Sequence, residues 1–323
     1  MLNFADQSSF AFAKLWLALL GKIGMKNKGY ILVFLTALIS GFSIFINKFG
    51  VSLANPYIFT GLKNIVVAVF LSCLLIYLKD LKVLKSLAKK DWILLVLIGF
   101  IGGSVPFLLF FKGLSLTTAA QGSFFHKTMF LYVAILAAVF LKEKISREFL
   151  IGALFLLSGS ALILKTIPHS FGIGDLYIVL AALFWAGENV LSKHTLRRLS
   201  GRVVAWGRMF FGSLFILLFL LMTSQISLVG ALTPNQMVWV LITSVFLFGY
   251  VITWYSGLKY VPVSRAACIL LLGSPITTLL SVVFLNSIII PGEIFGVSLT
   301  LLGLILILGG KYVSTKLQEY VRI

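Results

Sequence analysis

The chain has 323 residues, is 60% hydrophobic and only 11% charged, and carries a formal net charge of +18. Soluble domains average roughly 25% charged residues, so an ordinary cytosolic enzyme, a disordered chain and a secreted disulfide scaffold are excluded. The mean hydropathy of +1.09 leaves a polytopic membrane protein whose mass lies mostly in lipid.

Residues 1–28 read as an N-terminal extension. Its apolar run, 10–20, is too short to span, contains Lys14 and lacks a small-residue cleavage site. It is either an interfacial helix or sequence upstream of a true start at Met25. Ten apolar stretches follow, each long enough to cross about 30 Å of hydrocarbon as a helix. They are spans 1 to 10: 30–49, 57–78, 92–112, 116–140, 149–167, 174–193, 203–223, 237–258, 263–286 and 292–310. Residues 311–323 form a short tail.

All but six of the 27 lysines and arginines lie at the two ends or in alternate connections. Lys48, Lys112 and Lys165 lie on the opposite side, and Lys63, Lys127 and Arg208 lie inside spans. This bias places the basic loops and both termini in the cytoplasm. The basicity is topological and does not imply nucleic-acid binding. Cys73 and Cys268 both fall in apolar runs, where they are expected as buried fillers without a disulfide or a metal-ligand spacing.

The chain repeats itself. Gly29, Leu35, Ala37, Leu38, Lys48 and Lys63 align with Gly174, Leu180, Ala182, Leu183, Lys193 and Arg208. Gly113, Phe140, Gly152 and Gly159 align with Gly257, Phe284, Gly296 and Gly303. Each half, 29–167 and 174–310, holds five spans. Because five is odd, the second half enters the membrane from the opposite side. The expected fold is all-α, ten transmembrane helices in two inverted repeats, the arrangement from which transporters build a central site.

Four segments carry a family resemblance: Gly174-Asp175-Leu176-Tyr177 through Phe184-Trp185-Ala186, Phe140 to Ser146 with Gly152, Gly273-Ser274-Pro275, and the basic pair Lys63 and Arg208. Together with the duplication they resemble the drug/metabolite transporter superfamily in its EamA-type branch. The resemblance covers 25 to about 312 and implies small-molecule transport, often export, in a prokaryotic plasma membrane. The sequence departs from the pattern in three ways. Leu131 stands where the repeat mate is Pro275, Ser287 stands opposite Glu143, and His126-Lys127 replaces an apolar pair.

Ionisable groups within a bilayer are costly and are functional candidates by default. His126 and Lys127 lie roughly 15–17 Å into span 4, near the midplane where inverted-repeat transporters bind substrate. Ser123 shares the face of Lys127. An ammonium there would pair a substrate anion, with His126 assisting; the structural alternative is a lysine satisfied by helix carbonyls or by Glu188. Glu188, the one carboxylate well inside a span, would couple proton movement or pair statically with Arg208. Lys63 and Arg208, near opposite mouths, would hold helix ends, snorkel to the interface or funnel anions. Trp185, Tyr250, Trp254 and Tyr255 would wall a ligand or simply pack. Gly102, Gly103, Ser104 and Pro106 in span 3, and Gly273, Ser274 and Pro275 in span 9, predict broken or closely packed helices. The glycines at 152/159 and 296/303 predict packing seams.

No phosphate-binding loop, His-Glu-x-x-His, paired-cysteine site or Gly-x-Ser-x-Gly elbow occurs in the sequence. The reading is therefore a non-enzyme without cofactors: a secondary transporter of a small anionic or zwitterionic metabolite such as an amino acid, working by alternating access. Its partners would be that metabolite, membrane lipids and protons, and it would be a monomer or homodimer. The alternatives are a flippase for a phosphorylated lipid carrier and a nucleotide-sugar-type carrier.

Overall fold

The computed structural model describes residues 24–51, 55–164 and 171–321, and every regular element among them is helical. Span 1 (Met25–Val51), span 2 (Pro56–Tyr77), span 6 (Ile173–Thr195), span 7 (Gly201–Met222), span 8 (Pro234–Leu258) and span 10 (Pro291–Val321) are single helices. Span 3 is broken into Lys89–Gly103 and Val105–Leu114, and span 4 into Ala119–Lys127 and Met129–Leu141. Span 9 runs Val263–Ile269, a tight 3-10 turn Leu270–Leu272, then Gly273–Leu285. Among the described residues nine helices are long and apolar enough to cross a membrane. Span 5, Arg147–Ile163, is helical over 17 residues, about 25 Å at the usual rise.

Local chemistry starts these helices. The Asn55 side chain accepts from the Tyr57 amide at 2.9 Å ahead of Pro56, which lacks the N–H a first helical turn cannot use. Ser146 and Ser200 accept from the Phe149 and Val203 amides, and Thr233 and Gln236 form a reciprocal capping box ahead of span 8.

The contacts between spans obey the internal repeat. Gly152 and Gly159 of span 5 meet Gly303 and Gly296 of span 10, with backbone carbonyls 2.6 Å from where a Cβ would stand. Exchanging each glycine for its repeat mate maps one contact onto the other, as a two-fold axis requires. Likewise Gly29 of span 1 packs on Gly257 of span 8, while Gly174 of span 6 packs on Gly113 of span 3. These small residues let backbones touch where lipid supplies no hydrophobic drive.

The basic connections converge at one end. Asp80 pairs with Arg202 at 2.7 Å and Asp91 with Arg198 at 3.2 Å, joining the 2–3 and 6–7 connections. Lys259 Nζ donates to the Leu199 carbonyl, and Glu143 accepts from Val263 and Ser264, bringing in the 8–9 and 4–5 turns. At the other end Asp175 accepts from Thr117 and Gln121. The alternation expected from the charge pattern is thus present in three dimensions.

One of the two cysteines departs from expectation. Cys268 is buried but Cys73 is exposed on the outer surface, because it projects from span 2 away from its neighbours; both are free thiols. The last helix continues through Val321, so the tail residues 311–321 are helical. The apolar run 10–20 lies outside the described residues.

Candidate functional site

Span 3 breaks where proline removes a donor. In an unbroken helix the Gly102 carbonyl would accept from residue 106, but Pro106 has no N–H. The Phe107 amide turns back to Ser104 instead, at 3.0 Å. Two carbonyls are thereby freed in the middle of the protein, and side chains from other spans take them. Gly102 O accepts from Trp185 Nε1 of span 6 and from the Arg208 guanidinium of span 7, each at 3.1 Å. Gly103 O accepts from the buried Asn64 amide of span 2 at 3.2 Å.

Around this break lies a polar cluster. Glu188 is 1% exposed, its side chain packs against Gly102, and its Oε1 accepts from Ser192 Oγ at 2.5 Å and Tyr255 OH at 2.7 Å. Arg208 is 7% exposed, its guanidinium lies 5.9 Å from the Phe107 ring centroid, and its Nε has no hydrogen-bond partner. Among the described residues Glu188 and Arg208 form no direct ion pair. The expected static pair is therefore corrected: the Gly102 backbone takes the guanidinium, while span 8 takes the carboxylate through Tyr255.

The other half holds a paler copy. Lys63 Nζ reaches Asn47 Oδ1 at 3.5 Å, and Asn47 Nδ2 donates to Ser43 Oγ at 3.0 Å. By the repeat, Lys63, Asn47 and Ser43 correspond to Arg208, Ser192 and Glu188. The carboxylate is present in one half alone.

Lys127 and His126 diverge as adjacent helical residues must. Lys127 Nζ meets Ser274 Oγ of span 9, just past the 3-10 turn. No carboxylate among the described residues pairs with it, so the expected alternative partner, Glu188, is not used. His126 instead stands edge-on to Phe110 and Trp185, with ring centroids 5.3 and 5.1 Å away. Trp185 in turn contacts Phe107, the ring beneath Arg208. A continuous line of contacts therefore runs from His126, next in sequence to Lys127, through Trp185 and Phe107 to Arg208. Tyr250 and Trp254 stack on each other at 6.4 Å, and Trp254 Nε1 donates to Asn189, so they form a separate aromatic pair on span 8. Ser123 is half-buried and makes no side-chain hydrogen bond among the described residues.

Residues 27–165 and 172–309 each match the EamA-like transporter family. The chain belongs to that family. Similar proteins include the uncharacterised transporter YetK of Bacillus subtilis, 28% identical over 69% of each chain. An uncharacterised transporter of Clostridium kluyveri is 25% identical over 87% of this chain and 93% of its own length. The riboflavin transporter ImpX of Fusobacterium nucleatum is 27% identical over 72% and 82%. A solved crystal structure superposes with a TM-score of 0.71 at 17% identity, covering 87% of this chain and 96% of the other, which speaks for the fold. This family member is thus a multi-pass membrane transporter, and the drug/metabolite-type resemblance holds.

Asn64 and Asn189 went unremarked in the sequence, while Tyr255 and Ser274 were noted there only as a wall residue and as part of a helix break. Asn64 carried a legible signal, an amide inside an apolar run within reach of a helix broken by Pro106. Tyr255 was legible as a wall residue beside Tyr250 and Trp254, but not as the partner of Glu188.

Proposed function

We propose that the chain is a secondary transporter of a small organic anion or zwitterion. It works by alternating access of its two halves about the line from His126 to Arg208. The observation that carries this reading is Lys127, an ammonium in the middle of span 4 whose partner is an uncharged hydroxyl. A charge within the membrane without a counter-charge is costly, and an anionic group on the substrate supplies one. His126 and Trp185 would bound the ligand, Ser123 and Ser274 would offer hydrogen bonds, and Tyr250 and Trp254 would close the span 8 side. Lys63 and Arg208 would draw anions toward the path, and Glu188 would carry the coupling proton. We place both termini in the cytoplasm of a prokaryotic plasma membrane, on the charge bias of the loops.

A second reading is favoured by the row of rings formed by Phe110, His126, Trp185 and Phe107. A planar heteroaromatic solute would slide along such a row, and one similar transporter is named for riboflavin.

A thermal-shift screen of detergent-purified protein tests both. Amino acids, carboxylates, phosphorylated metabolites and riboflavin would be compared on wild type and Lys127→Ala. A ligand at about 100 times its Kd stabilises by roughly 2.7 kcal/mol. A carboxylate shift that vanishes in the variant supports the anion reading. A shift that survives unchanged makes Lys127 structural, and a response to riboflavin alone favours the second reading.

A further inference from the structure

The two ends of the molecule are tied across the halves by different chemistry. At the end that gathers the basic connections, Glu143 reaches from the span 4–5 turn in the first half to the start of span 9 in the second. One carboxylate accepts three donors there: the Val263 amide at 2.8 Å, the Ser264 amide at 3.1 Å and Ser264 Oγ at 2.5 Å. The same 8–9 turn is also held by Lys193 of span 6. Its ammonium donates to the carbonyls of Leu258, Lys259 and Val261 at 2.6, 3.1 and 2.7 Å. Six polar groups of one turn are thus held by two charges on other spans. Charge-assisted hydrogen bonds of this kind are the strong ones.

The repeat shows that this closure is an addition. Contacts with a mate do exist at both ends: Asp175 takes Gln121 at the far end, and at this end the mates are Tyr30 and Arg265, at 3.4 Å. The Glu143 contact has no mate among the described residues: Ser287 stands in its place without a carboxylate, while the backbone bonds Glu143 to Ala137 and Ser287 to Ser281 are the same in both halves. The far end has its own crossing carboxylate, Asp175, but it takes the side chains of Thr117 and Gln121, whereas Glu143 takes backbone amides at the head of span 9, so the two gates are held differently.

We propose that Glu143 is the latch of that gate. Its carboxylate holds the head of span 9 against the span 4–5 turn while this end of the path is shut, and releases Val263 and Ser264 to water when it opens. The inference rests on the alternating-access reading, and its test does not depend on any substrate.

Cys268 is a built-in reporter. It sits one turn inside Ser264 on the same helix and is fully buried, whereas the other thiol, Cys73, is exposed. In a Cys73→Ser background, the rate at which N-ethylmaleimide modifies Cys268 in the detergent-purified protein reads the open fraction of this gate. Glu143→Ala is expected to raise that rate at least tenfold, and Ser264→Ala, which removes one of the three donors, by a smaller factor. A cysteine introduced for the buried Ala68 of span 2, with both native cysteines replaced by serine, is expected to label no faster in the Glu143→Ala variant. Equal protection of Cys268 in wild type and in both variants overturns the latch. So does equal acceleration at Ala68, which reports a general loosening. Should Glu143→Ala not fold, Ser264→Ala carries the comparison. Failure of transport with the labelling pattern as expected overturns the alternating-access reading and leaves the closure standing.

Discussion

Trp185 and Arg208, from two different spans, donate to one carbonyl, Gly102 O, at 3.1 Å each. That carbonyl is free because Pro106 has no N–H to offer it. The break in span 3 therefore works as a socket: a backbone acceptor in the middle of the protein anchors an aromatic ring and a guanidinium, and leaves the Arg208 Nε without a partner.

Removing either donor has a different consequence. Trp185→Phe deletes one bond while Arg208 still satisfies the carbonyl, and is expected to lower stability by about 1 kcal/mol. Arg208→Met deletes a buried charge along with an orphaned donor, and Trp185 still holds Gly102. Its stability is expected to change by less than about 1 kcal/mol, while substrate uptake into vesicles falls severely. Denaturation midpoints and uptake on the same preparations check the split. Equal losses in both quantities for both variants would reduce the pair to packing.

Glu188 is tested by keeping its hydrogen bonds and removing its charge. The carbonyl of Gln in Glu188→Gln can still accept from Ser192 and Tyr255, so the thermal midpoint is expected to stay near that of wild type. In proteoliposomes the variant is expected to exchange substrate across the membrane but no longer to accumulate it against a gradient when a proton gradient is imposed. Accumulation equal to wild type would remove Glu188 from coupling.

The glycine seam makes a sharper stability prediction. A Cβ at Gly159 would stand 2.6 Å from both the Gly296 carbonyl and Thr300 Oγ, whereas one at Gly187 would meet nothing within 4 Å. Gly159→Ala is expected to cost about 1–3 kcal/mol through overpacking. Gly187→Ala is expected to be neutral or to stabilise by up to about 1 kcal/mol through helix propensity. Thermal unfolding of the two variants decides it, and a reversed order would refute the seam.

How much of this the sequence showed varies by element. The span 3 break was legible, since Gly102, Gly103, Ser104 and Pro106 stand together. The span 4 break at Thr128 was not, because Leu131 stands where span 9 has Pro275 and the local sequence reads as one helix. There Thr128 Oγ donates to the Phe125 carbonyl at 2.7 Å, and the Leu131 amide closes a tight turn on Thr128 at 2.9 Å. The break sits opposite the 3-10 turn of span 9, since Thr128 aligns with Leu272. The repeat keeps the shape after one half has lost the proline that explains it.

The number of spans, their alternation and the doubling of the chain are one-dimensional properties. Apolar run length, loop charge and recurring glycines carry them, and the amino-acid order alone determined them. The partners of Lys127, Glu188 and Arg208 are of another kind. Each lies on a different helix, so its choice depends on how far one span is rotated and shifted against the next. That is decided by glycine contacts such as Gly103 against Gly212 and Gly29 against Gly257. Only the packed structure could show that Glu188 turns to Tyr255, that Arg208 turns to a backbone carbonyl, and that Lys127 meets a serine and no carboxylate.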